Sequence, residues 1–144
     1  MKIVNISNNE NPSYATKQAA GMDLRAWLKE DLVIKPNEIY IVGTGLFIEL
    51  PDGHEAQIRP RSGLAAKHGL TVINSPGTID ADYRGEIKII LMSLKDEITI
   101  KNGDRIAQMV INTYVKVNIE LTENLSELNN TTRNTSGFGS TGIN

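Results

Sequence analysis

Two carboxylates, a tyrosine and an arginine lie between glycines in Gly77-Thr78-Ile79-Asp80-Ala81-Asp82-Tyr83-Arg84-Gly85, directly after Asn74-Ser75-Pro76. Acids, an aromatic and a base crowded into a glycine-bracketed hairpin suggest a working site. Taken alone, the segment reads equally well as a solvated turn, where Asn, Asp, Gly and Pro serve the backbone only. A second cluster stands near the C-terminus, where Gly137-Phe138-Gly139-Ser140-Thr141-Gly142 mounts one aromatic between glycines and follows it with hydroxyls. That arrangement suits a flap that stacks on a flat ring and donates hydrogen bonds to phosphate oxygens.

Other chemistries are closed by composition. The chain has no cysteine, which removes disulfides, thiolate zinc sites and cysteine nucleophiles. Its two histidines, His54 and His68, carry no ligand spacing and read as surface or turn residues. A formal charge of −2 offers no broad basic field, so nucleic-acid binding is not expected, and an anionic ligand must be held by a few placed arginines, backbone amides or a metal ion. No apolar run approaches the roughly 20 residues of a membrane span, and the first ten residues lack the apolar core of a secretion signal. No membrane association is expected, and the cytoplasm is the expected compartment.

The elements that must position these residues are strands. Runs rich in Ile, Val and Thr recur at residues 3–6, 21–28, 32–34, 39–50, 55–58, 71–74, 86–94, 98–100 and 106–117, separated by turn formers such as Pro51-Asp52-Gly53 and Asn102-Gly103-Asp104. Charged Glu86 and Lys88 alternate with Ile87, Ile89 and Leu91, as in a strand with one buried face. Only Leu64 to His68 has helical character, closed by Gly69. With 144 residues, this is the spacing of a single all-β domain, a sandwich or barrel. From residue 129 onward Asn, Thr, Ser and Gly dominate, so the chain divides into a β domain over 1–128 and a flexible arm over 129–144.

Five segments, taken in order, resemble the homotrimeric deoxyuridine triphosphate nucleotidohydrolases, the dUTPases. They are Ala20-Gly21-Met22-Asp23-Leu24-Arg25-Ala26, Pro60-Arg61-Ser62-Gly63-Leu64-Ala65, the hairpin from Asn74 to Gly85, Gly103-Asp104-Arg105-Ile106-Ala107-Gln108, and Arg133 to Gly142. The resemblance implies a jelly-roll-like β-barrel with one short helix, three subunits that share three interfacial sites, and an arm that closes over a neighbour's site. It also implies hydrolysis of dUTP to dUMP and diphosphate, which limits uracil in DNA and supplies dUMP for dTMP synthesis.

Residue by residue, the resemblance makes the hairpin a uracil reader, with the Asn74 side chain, backbone groups of Gly77, Thr78, Ile79 and Asp80, and the backbone near Lys88 on the base edge. Cytosine reverses donor and acceptor there, which can cost 10⁴-fold or more in such a site. Tyr83 corresponds to the ring beneath the deoxyribose that leaves no space for a 2′-hydroxyl. Asp80 corresponds to the catalyst, orienting a water toward the α-phosphorus; an aspartate is a feeble base, so orientation contributes more than proton affinity. Asp82 is read instead as a brace for Arg84. Arg61, Ser62 and Gly63 match a phosphate-binding loop. Asp23 and Gln108 match residues that hold phosphates and the waters of Mg²⁺, Asp23 as an outer-shell contact. Arg133 matches a γ-phosphate clamp, Phe138 a lid on uracil, and Gly139, Ser140 and Thr141 further phosphate donors. The chain departs from the pattern at Asn134 and Ser136, where glycine is usual or frequent, which narrows the backbone choices for lid closure. Two other activities stay open at this level: a dCTP deaminase on the same barrel, and a trimeric protein that binds nucleotide without turning it over.

Overall fold

The computed structural model describes residues 1–137 and contains eleven strands and one α-helix among them. In chain order the strands are β1 (Lys2–Asn5), β2 (Gly21–Arg25), β3 (Leu32–Ile34), β4 (Ile39–Gly43), β5 (Leu46–Glu49), β6 (His54–Arg59), β7 (Leu70–Val72), β8 (Gly77–Ile79), β9 (Lys88–Ser93), β10 (Ile98–Ile100) and β11 (Arg105–Thr113). Helix α1 (Ser62–His68) joins β6 to β7, and a 3₁₀ turn at Leu125–Glu127 follows the last strand. The strands pair antiparallel in four sheets, ordered β1-β5, β10-β3, β2-β11-β6-β8 and β4-β9-β7. The expected all-β architecture with one short helix is what the chain adopts.

Side-chain parity explains the pairing. In β9 and its approach, Ile87, Ile89 and Leu91 are fully buried, whereas Glu86 and Lys88 point away, as their alternation predicts. The same parity in β2 buries Met22 and Leu24 and leaves Asp23 on the opposite face. Inward residues from these sheets, among them Val42, Ile58, Val72 and Met109, join one continuous apolar core. Leu91 sits at its centre with no exposed surface, in the strand flanked by β4 and β7. Leu91→Ala is expected to destabilise the protein by about 2–5 kcal/mol, read as a lower urea midpoint at unchanged slope.

Several boundaries differ from the sequence reading, each for a local reason. The run at 39–50 is two strands, because the chain turns at Thr44 and Gly45; the Thr44 hydroxyl donates to the Ile87 carbonyl at 2.6 Å, and Gly45 has φ +68°. The helix begins at Ser62 rather than Leu64 and ends as expected at Gly69, whose φ of +67° lets its N–H reach the Ala65 carbonyl at 3.0 Å. Residues 77–79 form a short strand on the edge of the four-stranded sheet. The run at 106–117 leaves the sheet after Thr113, and Val115 and Val117 are 87% and 76% exposed. Downstream, Ile119 and Leu121 are just as uncovered, so apolar residues alternate with Lys116, Asn118 and Glu120 along a segment that the described residues leave exposed.

Candidate active site

Strand β8 carries the first group of residues. Its register against β6, Gly77 opposite Ile58 and Thr78 opposite Gln57, puts Gly77 inside the structure, where a Cβ would press on Asn74 Nδ2 at 3.0 Å and Ile58 Cβ at 3.4 Å. Because β8 ends the sheet order, the backbone groups along its outer side have no strand partner among the described residues. An edge of that kind can read the polar rim of a planar base. Asp80 follows at the strand's end, exposed, and the chain turns with the Tyr83 N–H donating to the Asp80 carbonyl at 3.2 Å. The Tyr83 ring then folds back over Gly85 so closely that any Cβ there would overlap it, and its hydroxyl donates to the Glu86 carbonyl at 3.1 Å.

These residues open on a cleft of about 320 Å³ lined by Thr78, Ile79, Asp80, Tyr83, Glu86 and Lys88, with Ile41 and Ile90 supplying apolar surface. A pocket of this size, apolar with a few converging polar groups, matches a small organic ligand. Asp80 also borders a wider depression of about 920 Å³ that holds Glu55, Asp82 and Arg84. The expected Asp82 brace is not formed: Arg84 Nη1 donates instead to the carbonyls of Ala81 at 2.7 Å and Tyr83 at 3.0 Å. Two carbonyls within the same turn take up the Nη1 donors and hold the guanidinium there without fixing a second side chain.

The second group lies on the outward face of β2 and β11. Asp23 and Gln108 are opposite each other in the strand register, and Gln108 also faces Arg59 of β6. Asp23 accepts two guanidinium bonds, from Arg61 Nε at 2.9 Å and from Arg105 Nη1 at 3.2 Å. Two cations on one carboxylate leave a local surplus of positive charge, in a patch where the Asp23 and Arg61 side chains are only about 30% exposed. Gln108 Nε2 donates to the Pro60 carbonyl at 2.9 Å, which ties the β11 row to the start of the 60–63 loop. Ser62 and Gly63 follow on the first turn of α1, both exposed. A Cβ at Gly63 would meet nothing within 4 Å among the described residues outside its own helix backbone, so packing there gives no reason for a glycine.

The chain thus brings Asp23, Arg61 and Gln108 together in one place and Asn74, Gly77, Thr78, Ile79, Asp80, Tyr83 and Lys88 in another. The cleft at β8 is lined by members of the first group and the hollow beside α1 by Arg61 of the second, and neither holds members of both. Arg133 belongs to neither; its Nε donates to the Ser136 carbonyl at 2.9 Å within the exposed arm. Phe138, Gly139, Ser140 and Thr141 lie outside the described residues. Two contributors went unassigned in the sequence reading. Arg105 sits inside a quoted motif, and its position two residues before a buried alanine on a bulged strand aims it at Asp23. Glu86 reads as the polar phase of a strand, yet its side chain is only 18% exposed and reaches the β4–β5 turn.

The family model for dUTPase matches residues 7–142. A deoxyuridine 5′-triphosphate nucleotidohydrolase of Cytophaga hutchinsonii is 59% identical over 143 residues, covering 99% of this chain and 91% of that one. One from Finegoldia magna is 52% identical, covering 99% and 98%. Among solved structures, the dUTPase of Staphylococcus bacteriophage 80alpha with dUPNHPP superposes with a TM-score of 0.85 at 23% identity, covering 99% of this chain and 98% of that chain. The same fold, a family match over nearly the whole chain and the relatives' identities establish that this chain belongs to the dUTPase family.

Proposed function

We propose that the protein hydrolyses dUTP to dUMP and diphosphate at sites completed by three copies of the chain. The observation that carries this reading is the cleft itself: an unpaired strand edge, a ring folded over Gly85, and an exposed carboxylate at the strand end, all in one chain of this family. Uracil seats its polar rim along residues 77–80, Asn74 and the backbone near Lys88, and Tyr83 lies under the deoxyribose. Asp80 holds a water; its oxygen bonds to the α-phosphorus as the bond to the β-phosphate oxygen breaks, diphosphate leaves, and the water's proton passes toward the carboxylate.

The triphosphate brings roughly four negative charges, which a net-acidic protein must cancel locally. Arg61, with Arg105 beside it, supplies that charge, Ser62 donates to a phosphate oxygen, and Gly63 leaves room for backbone approach. Mg²⁺ fits this donor set as an ion carried in by the substrate. Both Asp23 oxygens are already taken by guanidinium groups, and no group of three or more acidic, His or Cys side chains among the described residues is placed to hold a metal ion. The Asp23 carboxylate would accept from waters on the ion, and the Gln108 amide would donate to a phosphate oxygen. When bound, Mg²⁺ neutralises charge on the phosphates and the departing diphosphate.

The separation of the two groups on one chain supports assembly, since a neighbour can bring its phosphate-binding row to this chain's base-reading edge. So does the uncovered alternation of Val115, Val117, Ile119 and Leu121, which a second copy can bury. The homotrimer is the assembly in which arm 129–144 crosses a neighbouring β domain of residues 1–128, bringing Arg133 to the γ-phosphate and Phe138 over the base. No helix among the described residues is long and apolar enough to cross a membrane.

The test is one panel of dUTP, dCTP, dTTP and UTP with Mg²⁺, monitoring diphosphate and ammonia. Diphosphate is expected from dUTP alone, with dCTP slower by about 10⁴-fold. Chelation with EDTA is expected to suppress turnover and excess Mg²⁺ to restore it. Ammonia from dCTP would instead identify a deaminase, and tight dUTP binding without product a nucleotide sensor.

A further inference from the structure

We propose that Glu86 is a positioning residue for the cleft: its side chain fixes the wall made by Tyr83 and Lys88, and through that wall the preference for a deoxy sugar. This rests on the reading of the cleft as a deoxyuridine site. Glu86 stands where the hairpin rejoins the sheet, and three connections converge on it. Its Oε1 accepts from the Thr44 N–H at 3.1 Å and from the Gly45 N–H at 2.9 Å. Its Oε2 lies 3.8 Å from Lys88 Nζ. Its own carbonyl accepts the Tyr83 hydroxyl at 3.1 Å.

The surroundings are cut to admit this carboxylate. A Cβ on Gly43 would stand 2.7 Å from Glu86 Oε1, and a Cβ on Gly85 would overlap the Tyr83 ring. A glutamate belonging to a solvated strand face does not need the space at Gly43, and the space at Gly85 takes the Tyr83 ring whose hydroxyl the Glu86 carbonyl accepts. Nor does the β4–β5 turn depend on Glu86 alone, since the Thr44 hydroxyl already donates to the Ile87 carbonyl at 2.6 Å and the Ile87 N–H to the Leu46 carbonyl at 2.8 Å. What the carboxylate adds is a charge-assisted pair of bonds that sets residue 86 itself at a fixed height over the turn. The acceptor of the Tyr83 hydroxyl moves with that residue. Exclusion of a 2′-hydroxyl is steric, so small shifts of the ring change discrimination more than they change the chemical step.

The experiment compares Glu86→Ala, Glu86→Gln and Gly43→Ala with the parent, all as full chains. It measures kcat and KM for dUTP and UTP, thermal midpoints, and the Tyr83 ring resonances in nucleotide-free protein. Glu86→Ala is expected to raise KM for dUTP about tenfold with kcat within about twofold, and to reduce the dUTP-over-UTP preference at least tenfold. Glu86→Gln keeps an oxygen for the two N–H groups and is expected to restore the preference to within about threefold. Gly43→Ala displaces the carboxylate and should follow Glu86→Ala; with Glu86→Gln it decides the matter if the alanine variant does not fold. An unchanged preference in Glu86→Ala overturns the proposal. So does a loss shared equally by dUTP and UTP with a lowered midpoint, since that marks a purely structural residue. If the parent turns over none of the nucleotides, the functional reading has failed, and the ring resonances decide the role of Glu86 alone: shifted in Glu86→Ala and native in Glu86→Gln upholds it, unshifted in both refutes it.

Discussion

Asp80→Asn is expected to bind dUTP as tightly as the parent, or more tightly, while losing 10²- to about 10⁴-fold in turnover. The carboxylate is exposed at the end of β8 and makes no side-chain hydrogen bond or ion pair among the described residues, so the fold does not depend on its charge. Stability should therefore stay within about 0.5 kcal/mol of the parent, which thermal melting checks. The backbone groups of residues 77–80 that face the base are untouched by the exchange, so recognition survives. Removing a negative charge beside a triphosphate also removes a repulsion, which is why affinity can rise but has no reason to fall. What asparagine lacks is an acceptor that both orients the water and takes its proton. Binding by calorimetry with the variant, set against single-turnover release of diphosphate, separates the two effects. Hydrolysis at the parental rate would remove Asp80 from the chemistry, and a large loss of affinity at parental turnover would make it a binding residue only.

How far the architecture can be read from residues is clearest in β9. The polar-apolar alternation from Glu86 to Leu91 states both the strand and its buried face, and Ile87, Ile89 and Leu91 are indeed without exposed surface. Strand β8 was legible only as a turn-bound motif, because three residues opening with glycine are too few to display a period, and its pairing with β6 is a long-range contact. The end of β11 was hidden for the opposite reason. Val115 and Val117 continue the apolar pattern, but nothing among the described residues covers them, and a local pattern cannot say whether a strand partner lies within reach. The chemistry-bearing residues were named by motif, whereas the residues that aim them were not. Arg105 gains its meaning from a strand bulge that sets it against Asp23, and Glu86 from a turn 41 residues earlier in the chain. Motifs preserve residue types that touch ligands; supporting contacts are made by whatever side chain the fold delivers, and only the assembled geometry reveals them.

A chain ending at Thr132 is expected to keep the assembly mass and thermal midpoint of the parent while losing about 10²-fold or more in kcat/KM for dUTP. Residues 129–136 are exposed throughout, so their removal takes nothing from the core. Their hydrogen bonds stay within the arm: the Thr131 N–H donates to Asn134 Oδ1 at 2.8 Å, the Asn134 N–H to Thr131 Oγ1 at 3.0 Å, and the Ser136 N–H to the Arg133 carbonyl at 2.9 Å. Together with the Arg133 Nε bond to the Ser136 carbonyl, these fold a tight turn around the arginine. Asn134 holds φ +41°, a left-handed conformation in which asparagine is the side chain best tolerated after glycine, so this departure from the usual glycine keeps the turn available. A turn whose described hydrogen bonds all stay within the arm is expected to affect turnover through contacts made elsewhere, by placing a guanidinium on the terminal phosphate and excluding water from the cleft. Arg133→Ala in the full-length chain separates those two contributions: it should reproduce the part of the loss that belongs to phosphate charge and leave the part that belongs to closure. Light scattering and melting verify that assembly and fold are intact, and steady-state kinetics give the loss. Parental kcat/KM in the truncated chain would show that the arm takes no part in the reaction and that the cleft on the β domain is complete without it.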